Sequence, residues 1–123
     1  MKNIAQIRAA SALDFANTDA IKGGKEGGDA IKKIPPMLMT NGLLAAIAFS
    51  IERKKEGLQR PGYSAIFDAL AKHLASEEIS IISSANASDL LLKLTEKDSQ
   101  TLKLATAEAM EWLAYARRFV TPE

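Results

Sequence analysis

The sequence predicts an all-α fold, a single-domain antiparallel helical bundle of about five to six helices covering residues 1–123. Two observations predict it. Alanine and leucine abound while valine occurs once, at Val120, a composition that favours helix over sheet. Apolar residues also recur at three- and four-residue intervals along most of the chain, which gathers them on one face of successive helices. A chain of 123 residues buries roughly two-thirds of its unfolded surface as one domain. No internal repeat or long linker interrupts it.

The spacing predicts a first helix over about Ile4 to Ile21, with Ala9, Ala12, Leu13 and Ala16 sharing a face. The glycine-rich segment Gly23 to Gly28, GGKEGG, predicts a break or a flexible linker. A short helical piece, Asp29 to Ile34, is expected to stop before Pro35, because the residue ahead of a proline is disfavoured in the α region. Pro36 suits the first turn of the next helix, where its missing N–H costs nothing. That helix is expected from about Met37 to Glu56, running through Thr40-Asn41-Gly42-Leu43, with Leu43, Ile47 and Ile51 as its stripe and Gly57 as its stop.

A fourth helix follows, with Tyr63, Ile66, Phe67, Leu70 and Leu74 at helical spacing. Glu77 to Ser84 contains Ile79, Ile81 and Ile82 and fits either a short strand or an extended loop that plugs the core. The loop is favoured, because no partner strand is in sight. A fifth helix is expected over Ala87 to Thr95. Asp98 or Ser99 can cap the sixth, where Leu102, Ala105, Ala109, Trp112, Ala116 and Phe119 keep the period.

Catalytic chemistry is hard to find. There are no cysteines, so disulfides, thiolate metal sites and cysteine nucleophiles are excluded. His73 is the only histidine. On that count the sequence predicts neither a triad nor a multi-histidine metal site, and reads His73 as a surface or half-buried residue complementing a helix end. The GGKEGG loop is no phosphate loop, because Glu26 rather than Ser or Thr follows Lys25 and no strand precedes it. Glu77, Glu78, Glu108 and Glu111 read as exposed helical carboxylates. Trp112 reads as core; Tyr63 and Tyr115 fit core positions and also the stacking of bases. No cofactor or metal is expected. The N-terminal stretch lacks an uninterrupted apolar region, and the run Leu43 to Phe49 falls far short of the ~20 residues of a membrane helix. A cytoplasmic location without membrane contact is expected.

Sixteen basic residues face fifteen acidic ones, a net charge of +1, where an autonomous nucleic-acid binder is usually more basic. Local clusters remain: Lys32-Lys33, Arg53-Lys54-Lys55 and Arg117-Arg118. All three fall near the C-terminal ends of the expected helices, so they fit dipole complements and phosphate contacts alike.

The segment Lys33-Ile34-Pro35, followed by Thr40-Asn41-Gly42-Leu43 and the apolar run to Phe49, resembles the K-L-P … T-N-G-L … A-F core of a known family. That family is the small all-helical subunit of the type III-B CRISPR effector, the Cmr complex. Thr106-Ala107-Glu108-Ala109, then Trp112-Leu113 with Arg117-Arg118-Phe119, is similar to the family's closing helix. Tyr63 to Leu74 stands where the family has a tyrosine-led amphipathic helix. The glycine-rich stretch before Lys32 departs from the family, where that region is charged and helix-forming.

The resemblance implies a non-catalytic subunit in antiviral defence. Its partners would be other Cmr subunits, copies of itself in a filament, and guide RNA with target RNA. Base pairing then carries specificity and protein contacts go to the backbone. Position matching to the family implies Lys33, Lys103, Arg117 and Arg118 as basic contacts, with Lys32, Arg53 and Lys54 added from the clusters alone. Two other readings stand beside this one. A protein–protein adaptor without RNA would anchor through Met37, Leu38 and Met39, methionine adapting to varied surfaces. A small enzyme lacks a catalytic group with a plausible partner.

Overall fold

The computed structural model describes residues 2–18, 25–54, 57–58 and 60–120, the side chains of 25–28, 54 and 58 excepted. Among the described residues six helices pack around one apolar core. They are α1 (Ile4–Ala16), α2 (Lys25–Asn41), α3 (Leu43–Ser50), α4 (Pro61–Ala75), α5 (Ala87–Glu96) and α6 (Ser99–Phe119). A two-residue antiparallel ladder, β1 (Arg53–Lys54) on β2 (Gly57–Leu58), separates α3 from α4. The all-α expectation holds.

Asn3 starts α1 with a reciprocal cap: its side chain accepts from the Gln6 N–H and the Gln6 side chain accepts from the Asn3 N–H, each at 2.9 Å. The helix ends at Ala16, short of the expected Ile21; residues 19–24, including Gly23 and Gly24, lie outside the described ones.

The largest departure from expectation is α2. It starts at Lys25, so Gly27 and Gly28 stand inside a helix, and it runs unbroken through Pro35 and Pro36. A proline in a helix interior costs about 3 kcal/mol through its lost N–H and its clash with the preceding turn. Packing outweighs this. Ile31, Ile34 and Leu38 are buried on both sides of the prolines at i, i+3 and i+7, while Pro36 is exposed.

The helix stops instead at Gly42, whose backbone stands at φ 87°, ψ 165°. There its N–H closes α2 on the Leu38 carbonyl at 3.0 Å and its carbonyl opens α3 by accepting from Ala46 at 3.1 Å. The expected helix from Met37 to Glu56 is therefore two helices joined at a glycine, and it ends at Ser50. Beyond Ser50, the run Glu52-Arg53-Lys54-Lys55-Glu56 offers no apolar side chain to hold a helix on the core. The ladder forms in its place, and Gly57, expected as a helix stop, pairs with Lys54.

Arg60 pins this corner. Its guanidinium lies 3.7 Å over the Phe49 ring, donates to the Phe49 carbonyl at 3.1 Å and pairs with Glu52. Tyr63 meets the same ring edge-on at 5.5 Å between centroids.

Pro61 opens α4 at a position where its missing N–H is harmless. Ile66, Phe67, Leu70 and Leu74 are buried on its inner face. The loop after it behaves as the extended-loop reading expects: Ile82 is buried, the N–H groups of Ile81 and Ile82 bond the Leu74 carbonyl, and Ser84 Oγ bonds the Ala71 carbonyl. Asn86 caps α5 and Asp98 caps α6, each side chain accepting from the backbone N–H three residues on, at 2.9 Å. The long α6 packs on α1, α2 and α4. Trp112, fully buried, lies at its centre, 5.4 Å from the Phe15 ring.

A side chain at Gly42 would meet no atom within 4 Å, so Gly42→Ala isolates the backbone strain of a glycine-only region. We expect a loss of about 1–3 kcal/mol, read as a lower midpoint in urea with helix content unchanged.

Candidate functional site

Lys32 and Lys33 are exposed in the middle of α2, because the helix continues through the prolines. The dipole reading expected for them fails, since a mid-helix cation has no free carbonyl end to complement. Lys33 is held by Asp29, one turn earlier, at 3.1 Å, and that contact raises its pKa. Arg53 is exposed in β1, past the end of α3, so the dipole reading fails there as well. The side chain of Lys54 and the whole of Lys55 lie outside the described residues. Arg117 and Arg118 stand in the last turn of α6, exposed, and neither guanidinium pairs with a described acid. Dipole complement and free cation coincide there.

Lys103 is exposed too, but fourteen residues before Arg117 on one helix means about 21 Å of axis between them. It borders a groove of about 550 Å³ between the α2–α3 joint and α6, walled by Leu44, Leu102, Ala107 and Met110, with Asn41 at one end. The groove thus brings Asn41 to Leu43 of the first motif beside Thr106 and Ala107 of the second. The structure otherwise leaves the basic residues on separate elements.

The three apolar partner candidates also separate. Met39 is 79% exposed, Met37 is half-buried against the core, and Leu38, at 4%, is a core residue rather than an anchor. Leu38 faces inward because it continues the Ile31–Ile34 stripe. Tyr63 and Tyr115 are half-buried, against Phe49 and Phe119.

Sequence reasoning missed a buried polar chain. Arg8 on α1 donates from Nε and Nη2 to the two carboxylate oxygens of Glu108 on α6, both at 2.8 Å. His73 on α4 meets Glu108 Oε2 through Nε2 at 2.9 Å and Ser11 Oγ through Nδ1 at 3.0 Å. Trp112 Nε1 donates to Ser11 Oγ at 3.0 Å. Glu111, exposed, lies 3.6 Å from Arg8 Nη1. His73 is 2% exposed and Glu108 6%, which corrects the surface readings of both. The signal was present in the spacing: His73 follows Ile66 and Leu70 at i+7 and i+3, and Glu108 stands between Ala105 and Trp112 on the apolar stripe.

The protons can be placed. The Glu108 carboxylate only accepts, so the proton of a neutral His73 is on Nε2, and Nδ1 then accepts from Ser11 Oγ, which itself accepts from the Trp112 indole N–H. Burial pushes the His73 pKa below its ordinary 6.5, outweighing the Glu108 contact. Burial alone would raise Glu108, but the hydrogen bonds from Arg8 and His73 overcome it and leave the carboxyl below 4.5.

A single histidine is enough for such a serine–histidine–acid string, so the histidine count did not exclude a triad. The geometry argues against acyl transfer on other grounds. Ser11 lies inside α1, where the helix already uses the backbone N–H groups, and its Oγ already accepts the Trp112 indole N–H. Ser11 and His73 do border a groove of about 630 Å³ with Phe15, Ala69 and Lys72. Among the described residues no three His, Cys, Asp or Glu side chains gather as a metal site, and no helix is long and apolar enough to cross a membrane.

A family model described as CRISPR-associated protein (Cas_Cmr5) matches residues 4–122. No curated protein matches the chain. Among solved structures, the X-ray crystal structure of a CRISPR-associated Cmr5 family protein from Thermus thermophilus is similar. It is 21% identical with a TM-score of 0.74, over 97% of this chain and 96% of that one.

Two outcomes follow from the buried chain. Unfolded His73 binds a proton below about pH 6.5 while the folded site resists it, so the unfolded state holds more protons there and stability falls as pH falls. The contribution is complete above about pH 6.5 and is lost progressively below it. His73→Gln is expected to remove that slope in urea titrations run from neutral to mildly acidic pH. Glu108→Gln leaves Arg8 only the exposed Glu111, 3.6 Å away, as an anionic partner and is expected to cost about 2–3 kcal/mol at neutral pH by the same titration.

Proposed function

Because the chain belongs to the Cmr5 family of CRISPR-associated proteins, we propose that it is a non-catalytic structural subunit of a type III-B effector ribonucleoprotein. Family membership makes it a Cmr-complex subunit in defence. In the finer reading, copies stack beside larger subunits and help form a groove that holds target RNA paired to guide RNA. Arg117 and Arg118 carry it: adjacent, exposed, without a described acid for partner, and at the end of the longest helix. Lys32 and Arg53, exposed away from helix ends, extend the set, with Lys33 joining when it releases Asp29 and Lys54 beside Arg53 in sequence. Lys103 belongs to the groove on α6 rather than to this set.

A net charge of +1 suits such a role. Each copy offers a few phosphate contacts, and lining copies up multiplies them into one strip with strong salt dependence. Specificity stays with base pairing. The complex is expected to work in the cytoplasm. The adaptor reading is favoured by one observation, the exposure of Met39; purification with native partners that brings no RNA along would support it.

Replacing Arg117 and Arg118 together by Ala is expected to lower target-RNA retention by the assembled complex, with unchanged helix content by circular dichroism. Retention equal to the parent would remove these two residues from the interface.

A further inference from the structure

We propose that the C-terminal end of α6 is a platform for an unpaired ribonucleotide: a base stacks on Phe119, with Tyr115 beside it, and Arg118 takes the adjoining phosphate. The inference rests on the reading that the end of α6 meets RNA, and it names the form of RNA met there.

Helix spacing builds the platform. Tyr115, Arg118 and Phe119 stand at i, i+3 and i+4 and so share one side of the last turns of α6. The Tyr115 and Phe119 rings lie 6.4 Å apart between centroids and 32° from parallel. Phe119 stays 36% exposed with Tyr115 against it. Of the large apolar side chains exposed among the described residues, Phe119 alone is aromatic. An exposed leucine or methionine offers only apolar area, whereas a phenyl ring offers a π-face on which any base can stack. Arg117 lies toward the opposite side of the helix and is no part of the platform.

Arginine meets a pair of aromatic rings at the α3–α4 corner as well, and there the chemistry is used up. Arg60 lies over the Phe49 ring, bonds the Phe49 carbonyl and pairs with Glu52, while Tyr63 meets the ring edge-on. Arg118 is exposed and pairs with no described acid.

The ligand follows from that set. A free guanidinium beside an exposed ring complements a phosphate joined to a base. In a duplex the faces of a base are covered by its neighbours, so the nucleotide that lies on Phe119 is an unpaired one, splayed from the stack. Stacking releases no counterions, which separates it from the phosphate contact by its response to salt.

The test uses the effector complex assembled with its guide. Target RNAs carry unpaired nucleotides beside and within the guide-paired stretch, with 2-aminopurine placed at one position at a time. That base loses fluorescence when it stacks. The parent complex is expected to quench it at an unpaired position. Phe119→Leu is expected to lose that quenching and about tenfold in affinity, and Phe119→Tyr to keep both. The fall of log K with log salt stays at the parent slope in Phe119→Leu, because no cation is removed, and becomes shallower in Arg118→Ala. Circular dichroism checks that α6 persists. Parent-like quenching and affinity in Phe119→Leu would overturn the platform, as would an equal loss of affinity for a fully paired target. Loss of the subunit from the assembly in Phe119→Leu would overturn it too, since Phe119 would then face a protein partner. A parent salt slope when Arg117 and Arg118 are both replaced by Ala would sink the phosphate reading itself, whatever Phe119 does, and so is told apart from failure of the platform.

Discussion

The bidentate grip of Arg8 on Glu108 is the constraint around which this fold is arranged. A carboxylate moved from water into a core costs several kcal/mol unless its oxygens are filled. Here both are filled, from two different helices. The requirement propagates: Glu108 needs the Nε2 proton of His73, His73 needs the Ser11 hydroxyl at Nδ1, and Ser11 is in turn held by the Trp112 N–H. Among the described residues no buried side-chain nitrogen or oxygen lacks a partner. An apolar contact tolerates sliding. This chain of directed bonds sets the rotation and register of α1 against α4 and α6 together.

With the interior so specified, the chemistry available to partners lies outside. Its inward titratable groups hold one another. Among the described residues its exposed cations without an acid partner include Lys32 on α2, Arg53 on β1, Lys72 on α4 and Lys103, Arg117 and Arg118 on α6. Its exposed large apolar side chains, among the described residues, are Ile4 and Leu13 on α1, Met39, Leu92 on α5, and Leu104 and Phe119 on α6. Such outward groups suit the proposed role of a subunit that contributes surfaces to an assembly. In the proposed reading, weak patches on a nearly neutral body gain force by repetition along an assembly.

Much of this was legible in the sequence, and the failures have physical causes. The helical period placed α4, α5 and α6 within a residue or two, and Asp98 was legible as the cap of α6, whereas Asn86, the cap of α5, was not read as one. The core-plugging loop followed from isoleucines without a partner strand. Helix α2 was misread because Pro35 and Pro36 weigh heavily in local rules, whereas Ile31, Ile34 and Leu38 are rewarded only by tertiary packing. Gly42 was misread in the opposite sense: apolar spacing continues across it, but the backbone turns there. The site was less legible. Exposure of Arg117, Arg118 and Lys103 agreed with expectation, and Leu38 did not. His73 and Glu108 were assigned to the surface by residue type, although both occupy core positions of their stripes. Only contact across three helices reveals why they are inside.

The central claim, that this chain adds phosphate contacts to the assembled complex, is tested most directly by the salt dependence of target-RNA affinity with the subunit present and omitted. Contacts made by its cations require a steeper fall of log K with log salt when it is present, by roughly 0.7 for each phosphate engaged on a single strand. Equal slopes for the two assemblies would contradict it.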